Sequence, residues 1–541
     1  MALWALATAL NVAKPYHVDD AFYVAEARWI AAHPDRPTSG RIAWEGEHPE
    51  PFFRAGNHAP LVPALQASVI ATVGESPIAL HLLTSIFTAL VVLFAHALAR
   101  RHAPAHALAI TALVVLSPAL IAEQNVMLDV PLCAAWLAAW LALDRDDPRG
   151  IVGAGAAIAV GVLVKLSSIA LLALLVWEGA RALRARTIRA SHLALACALP
   201  CASLALWGLA SHAETGEVAF LSRAQSVLEP TLARGLLASM GVGAARAALF
   251  VIVLGGVMPA GLVLVPAWLV RAGHRGALRA GGAVLLGLVI VARTLVPELA
   301  RRAGVSALAD EPLAHSLLRV ADLAIGAAVL TLVFARARHV DEIDRRLARW
   351  LAVGALAAIG LAPFLAARHA LLVLVPAWLL VARAGLLDDA RSTRIALALA
   401  GLVGLGAAVA DHRMAQLYAE AAPRLREQVG AAPGTRVLTV GHWGWQEHAA
   451  RAGLVAYEPG VTALHDGDVL VEPLGVHAQA VDLADRDRLE RIDVVTVEAG
   501  PLDLVRTLVD REGLYVSWYG LPWSLRTEPL ERFVVSRVRP R

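Results

Sequence analysis

The sequence predicts an α-helical protein that crosses a membrane about thirteen times and ends in a small α/β domain. Three observations predict it. The 541-residue chain is 58% hydrophobic and only 17% charged, with a mean hydropathy of +0.61, a balance foreign to a water-soluble globule. Its apolar residues come in blocks of about 17 to 25, the length that crosses roughly 30 Å of hydrocarbon. From about residue 412 the composition turns to that of a soluble domain.

The first apolar run, Met1 to Ala13, is short for a span and lacks a basic leader and a small-residue cleavage site; it reads as a truncated or mis-started first helix. Residues 15–76 then form a polar, Pro- and Trp-containing loop. Within it, Ala21 to Ala32 and Leu61 to Val73 are amphipathic and suit helices lying at the interface. Spans are expected near 77–99, 104–122, 127–143, 150–165, 166–180, 191–211, 244–270, 279–296, 315–335, 349–366, 370–385 and 393–410.

Arginines mark every second connection: Arg100 and Arg101, Arg145 and Arg149, Arg181 to Arg189, Arg271 to Arg279, Arg336 to Arg349, and Arg383 to Arg394. The positive-inside rule makes those loops cytoplasmic. The opposite loops face outward: 15–76, 123–126, 212–243, 297–314, Ala367 to His369, and everything after Asp411. The expected organisation is a membrane domain over 1–411 and an extracytoplasmic domain over 412–541. In the latter, β-branched runs (Arg436 to Val440, Asp468 to Val471, Asp493 to Val497) alternate with expected helices at Trp445 to Ala452 and Leu502 to Val509.

A net charge of +3 with basic residues scattered between apolar blocks gives no reason to invoke nucleic acid. Cys133, Cys197 and Cys201 all lie inside apolar blocks and read as small core residues.

Chemistry is expected first at Asp19 and Asp20, where the chain leaves its first helix. Ionisable groups there are costly unless used or hydrated, and a carboxylate near a low-dielectric boundary moves toward the range of a general base. A solvated interfacial acidic pair is the simpler reading. Asp129, at the outer end of a span, is either functional or a helix N-cap with Pro131 in the first turn. Lys165 and Lys14 are the only lysines. Lys165 sits at an outer turn, where it would pair with a phosphate or a carboxylate, or snorkel to the surface. The Arg368 fork with His369 in a tight outward turn suits a phosphate or anchors a helix end. His58 shares the first outer loop, with no second ligand at metal spacing. All of these residues fall on one predicted side.

Asp19-Asp20-Ala21-Phe22-Tyr23, His58-Ala59-Pro60-Leu61, Asp129-Val130-Pro131, Val164-Lys165-Leu166 and Arg368-His369 before a Leu- and Pro-rich span together resemble the bacterial protein O-mannosyltransferase and aminoarabinose lipid A transferase superfamily. In that family the first loop opens on Asp-Glu and an aromatic, and a later His-Pro-Pro-Leu follows. Here Asp stands for Glu at position 20, Ala for one Pro at 59, and the Thr and Gly that often flank the lysine are Val164 and Leu166. Gly441-His442-Trp443-Gly444-Trp445 is similar to a segment of bacterial tails.

The resemblance implies a GT-C fold and an inverting transfer from a polyprenyl-phosphate sugar to an acceptor on a lipid, glycan or protein, at the outer face of a bacterial inner membrane. It implies Asp19 as base, Asp20 tuning it or positioning the acceptor, Asp129 in support, and Lys165 and Arg368 on the donor phosphate. His58, Tyr23 and His369 would position donor or acceptor. No cofactor is required, and a divalent metal is left open. The competing expectations are a transporter or flippase of a lipid-linked sugar, or a scaffold displaying its tail.

Overall fold

A computed structural model describes residues 1–44, 49–56, 58–222, 224–225, 236–302, 312–339, 341–362, 364–429, 435–509, 512–516 and 520–540. Parts of the expected outer loops 212–243 and 297–314, and Pro363, lie outside the described residues.

Apolar composition and proline placement set the helices. Pro77 opens Pro77–His102, and Arg100, Arg101 and His102 fill its last turn, where basic groups complement the carbonyl end of the helix dipole. Asp147 caps Pro148–Val164 by accepting from Gly150 N at 2.6 Å. Six described helices are long and apolar enough to cross a membrane: Pro77–His102, Leu166–Arg184, Ala190–Thr215, Ser239–Gly256, Leu313–Arg338 and Ala390–Val429. Shorter apolar helices, such as Asp129–Leu143 and Pro148–Val164, pack among them. The protein is thus an integral, multi-pass membrane protein. Side chains such as Leu206, Leu209 and Leu402 stay exposed, as a lipid-facing surface requires. Inside, Trp140 stacks on Trp350 with ring centroids 4.5 Å apart.

Both expected interfacial helices form, as Asp20–Ala32 and Leu61–Val73, and they pack on each other. The block 244–270 is not one span. It breaks at 257–260 into Leu236–Gly256 and Gly261–Arg271, because Pro259 cannot donate to the ladder of a continuous helix. Cys133 is buried, Cys197 is half-buried and Cys201 is exposed, so only the first is a core residue.

Ala390–Val429 runs 40 residues, straight through the expected boundary at 411. Its second half joins the tail: Met414, Leu417, Tyr418 and Leu425 pack with Val437, Trp445, Val471 and Phe533. The tail is built on a five-stranded sheet in the order Val455–Ala456, Val437–Thr439, Val469–Pro473, Glu531–Val538, Leu489–Val497. The first three strands are parallel and the last two antiparallel.

The helix expected over Leu502 to Val509 is absent. Val505–Arg506 pairs with Ser524–Leu525, and Leu508–Val509 with Glu512–Gly513. Eight residues are too few for a helix to hold alone, and nearby strand partners satisfy the backbone instead. These hairpins lie against the membrane domain: His315 hydrogen-bonds Leu525 O, and Trp523 Nε1 donates to Gly256 O at 2.9 Å.

Candidate active site

The site is assembled from four turns at one end of the bundle. Val18 adopts φ +44, a left-handed conformation that strains a β-branched residue, and so turns the chain sharply into Asp20–Ala32. Asp19 stands at the N-cap but makes no cap bond; its carboxylate is directed elsewhere. Asp19 Oδ2 accepts from Arg368 Nη2 at 2.9 Å. Arg368 Nε lies 3.5 Å from Asp129 Oδ2, and Lys165 Nζ donates to Asp129 Oδ1 at 3.0 Å. Two carboxylates and two cations thus alternate in one chain. Asp129 is the first residue of Asp129–Leu143, with no capping bond; Lys165 ends Pro148–Val164 in extended conformation; Arg368 sits in the turn Ala367–Ala370.

The two carboxylates differ in access. Asp129 is locked between cations with its side chain 5% exposed, whereas the Asp19 side chain is 21% exposed. A cavity opens beside Asp129, lined by that residue with Lys165, Ser167, Arg368 and His369 and by apolar residues including Leu361 and Leu372; Asp19 is joined to this wall through Arg368. Such a cavity offers cations to an anionic group and an apolar wall to its carrier.

The other expected residues take different places. Asp20 is fully buried and accepts from His17 N at 2.9 Å; burial pushes its carboxyl up to about 7. It sits under the turn, apart from the chain of alternating charges. His58 Nε2 meets Glu26 Oε2 at 2.6 Å, and its ring lies edge-on to Tyr23 at 5.0 Å and Phe22 at 5.4 Å. It supports Tyr23, whose phenol burial and the nearby Asp19 push well above its ordinary range. His369 Nδ1 accepts from Ala366 N at 3.2 Å, and burial, with the Lys165 charge, holds the imidazole well below its ordinary range. Among the described residues no three His, Cys, Asp or Glu gather as metal ligands.

Behind Arg368 lies a second buried layer that sequence reasoning missed. Lys14 Nζ pairs with Asp411 Oδ2 at 2.9 Å, and both are fully buried. Tyr515 Oη donates to the same carboxylate at 2.6 Å and accepts from Asn125 Nδ2 at 2.7 Å. Glu123 is also buried; burial raises its carboxyl well above the usual range, against the pull of Arg368. Lys14 carried a signal, as one of two lysines; Tyr515, in the tail, carried none.

The segment around Gly441 to Trp445 docks the tail on this end. Gly441 has φ +104, and a Cβ on Gly444 would lie 2.9 Å from Tyr16 O and 3.1 Å from His17 Cα. Only glycine permits that approach. Trp445 is fully buried, with Nε1 on Thr439 Oγ1 at 2.9 Å.

The far ends of the same helices carry another charge cluster. Arg346 Nε lies 3.2 Å from Glu178 Oε2 and its Nη1 lies 3.6 Å from Asp144 Oδ1. Arg349 Nη2 reaches Glu178 Oε1 at 3.0 Å. Asp344 pairs with Arg383 and, at 2.7 Å, with Arg336. Arg101 Nε lies 2.8 Å from Asp144 Oδ2. The loops that arginine placement assigned to one side therefore meet one another.

No curated protein matches this chain. Among solved structures it is similar to ArnT from Cupriavidus metallidurans bound to undecaprenyl phosphate, at 14% identity and a TM-score of 0.41, and to the same protein in the apo state, at 14% and 0.42. Each likeness covers 99% of this chain and 96% of the other. Residues 57–207 match the family model of the dolichyl-phosphate-mannose-protein mannosyltransferases; His58, Asp129 and Lys165 fall within that stretch. The matched stretch, a little over a quarter of the chain, agrees with the resemblance that these motifs carry.

Proposed function

We propose that this protein is an inverting glycosyltransferase that moves a hexose or pentose from a polyprenyl-phosphate donor to an acceptor hydroxyl or phosphate. The acceptor belongs to a glycolipid, a cell-envelope glycan or a protein, on the extracytoplasmic side of a bacterial inner membrane. The observation that carries this reading is the partly exposed Asp19 carboxylate joined through Arg368 to Asp129 and Lys165, the last three of which line a cavity. The family match supports the reaction class.

In the proposed step Asp19 takes the proton of the acceptor hydroxyl. The freed oxygen attacks the anomeric carbon, the bond from that carbon to the phosphate oxygen breaks, and polyprenyl phosphate leaves. One displacement inverts the centre and needs one base. Lys165 and Arg368 neutralise the charge that grows on the leaving phosphate, the term that usually dominates such transfers. Asp129 holds both cations in place, and Tyr23, braced by His58 and Glu26, borders the acceptor side.

A transporter needs the inner ends of its helices to part. Here they are tied by Glu178, Asp144 and Asp344 to five arginines, an arrangement that favours a fixed scaffold. The test is incubation of the purified protein with a radiolabelled polyprenyl-phosphate hexose or pentose and an envelope extract. Label is expected in lipid, glycan or protein; donor that crosses a vesicle bilayer with no label transferred would instead establish the flippase.

A further inference from the structure

Resting on that reading, we infer that the C-terminal domain completes the donor-phosphate site, with Tyr515 as a positioning residue for Arg368. The segment that carries it returns from the tail to the membrane domain. Leu514 O accepts from Ala367 N at 2.9 Å, in the turn that holds Arg368, while Leu514 N donates to Thr507 O at 2.8 Å. The sharp return needs Gly513, at φ +146, where a Cβ would lie 2.0 Å from Thr507 O.

Tyr515 is 2% exposed, and each part of it is held. Its ring lies under the Arg368 guanidinium, with Cζ 5.9 Å from the centroid, and is met edge-on by His17 at 5.3 Å. Its hydroxyl is fixed between Asn125 and Asp411, and Asp411 is itself paired with Lys14. The guanidinium has a second aromatic neighbour in Phe364, at 5.9 Å. Arg368 must hold its charge toward a cavity while two carboxylates compete for it. An aromatic face behind it restricts the fork without forming a competing ion pair. A membrane domain lacking the tail would retain Asp19, Asp129 and Lys165, yet lose the backing of the one cation that links them.

The test compares Y515F and Y515L in the full-length protein, reading KM for donor and acceptor in the transfer assay and direct binding of undecaprenyl phosphate. Y515L is expected to raise donor KM and weaken undecaprenyl phosphate binding about three- to thirtyfold, with acceptor KM unchanged. Y515F, which keeps the ring, is expected to stay within about threefold of wild type. A purely structural role would move donor and acceptor KM together or make Phe as harmful as Leu, and either result overturns the inference. So does unchanged binding in Y515L. If the wild type transfers no sugar but binds undecaprenyl phosphate in a Tyr515-dependent way, the positioning role stands and the transferase reading falls. If the wild type does not bind it, both fall.

Discussion

The 15-residue helix Asp129–Leu143 has a charge cluster at each end, roughly 22 Å apart at 1.5 Å per residue. Both clusters are built from carboxylates and cations, and both are largely buried. At the Leu143 end, Asp144, Glu178 and Asp344 close onto Arg101, Arg336, Arg346, Arg349 and Arg383, which also bind helix-end carbonyls such as Leu143 O and His102 O. At the Asp129 end a shorter chain of four groups lines a cavity with three of its members, Asp129, Lys165 and Arg368, and leaves Asp19 partly open. The same pairing chemistry therefore serves two purposes. Where charges are used up on one another and on helix ends they fasten elements together. Where a cavity and a partly exposed carboxylate adjoin them, charge is left facing open space.

Substitutions at the two ends should separate rate from stability. Asp19→Asn keeps the volume and removes the proposed base, so transfer is expected to fall about 10² to 10⁴-fold with the melting temperature nearly unchanged; assay of initial rates on folded protein checks it. At the other end, Arg346→Met leaves Glu178 and Asp144 short of a partner, and breaking a buried pair in this way costs about 3–5 kcal/mol. Its unfolding midpoint should drop while donor KM stays level, and a raised donor KM in this variant would erase the distinction between the ends.

Lys165→Met removes one charged hydrogen bond from the cavity wall, and donor KM should rise roughly ten- to hundredfold with acceptor KM unchanged. A further effect, read as a pH dependence, concerns Asp20. Its carboxyl is raised by burial to about 7, so the folded state holds a proton that the unfolded state has already lost. Stability from this group is present at low pH, declines as pH rises from about 4 to about 7, and is level above. Asp20→Asn removes that slope, so the gap between variant and wild-type melting temperatures should widen from pH 5 to pH 8. A gap that narrows over the same interval would give Asp20 the opposite sign.

Much of this was legible because the chemistry lies within short stretches. Periodicity located Asp20–Ala32 and Leu61–Val73 within a residue. Arginine placement sorted the loops, so that Asp19, Asp129, Lys165 and Arg368 could be assigned to one side before their contacts were known. The illegible parts depend on distant contacts. An apolar run reads the same whether straight or broken, which hid the interruption at 257–260. Leu502 to Val509 is short and apolar enough for either structure, and the strands that claim it lie further along the chain. Tyr515 meets Asp411 across 104 residues and Asn125 across 390, and no local pattern announces such a partner. Asp20 showed the limit of reading an acidic pair as one unit: adjacent carboxylates on a turn point apart, one to Arg368 and one back to His17 N beneath the turn.

The most direct test of the account is the initial rate of sugar transfer from a labelled polyprenyl-phosphate donor by Asp19→Asn beside Arg346→Met, each normalised to folded protein. A loss of about 10² or more is expected in the first, and a wild-type rate in the second below its melting temperature. Full activity in Asp19→Asn would contradict it.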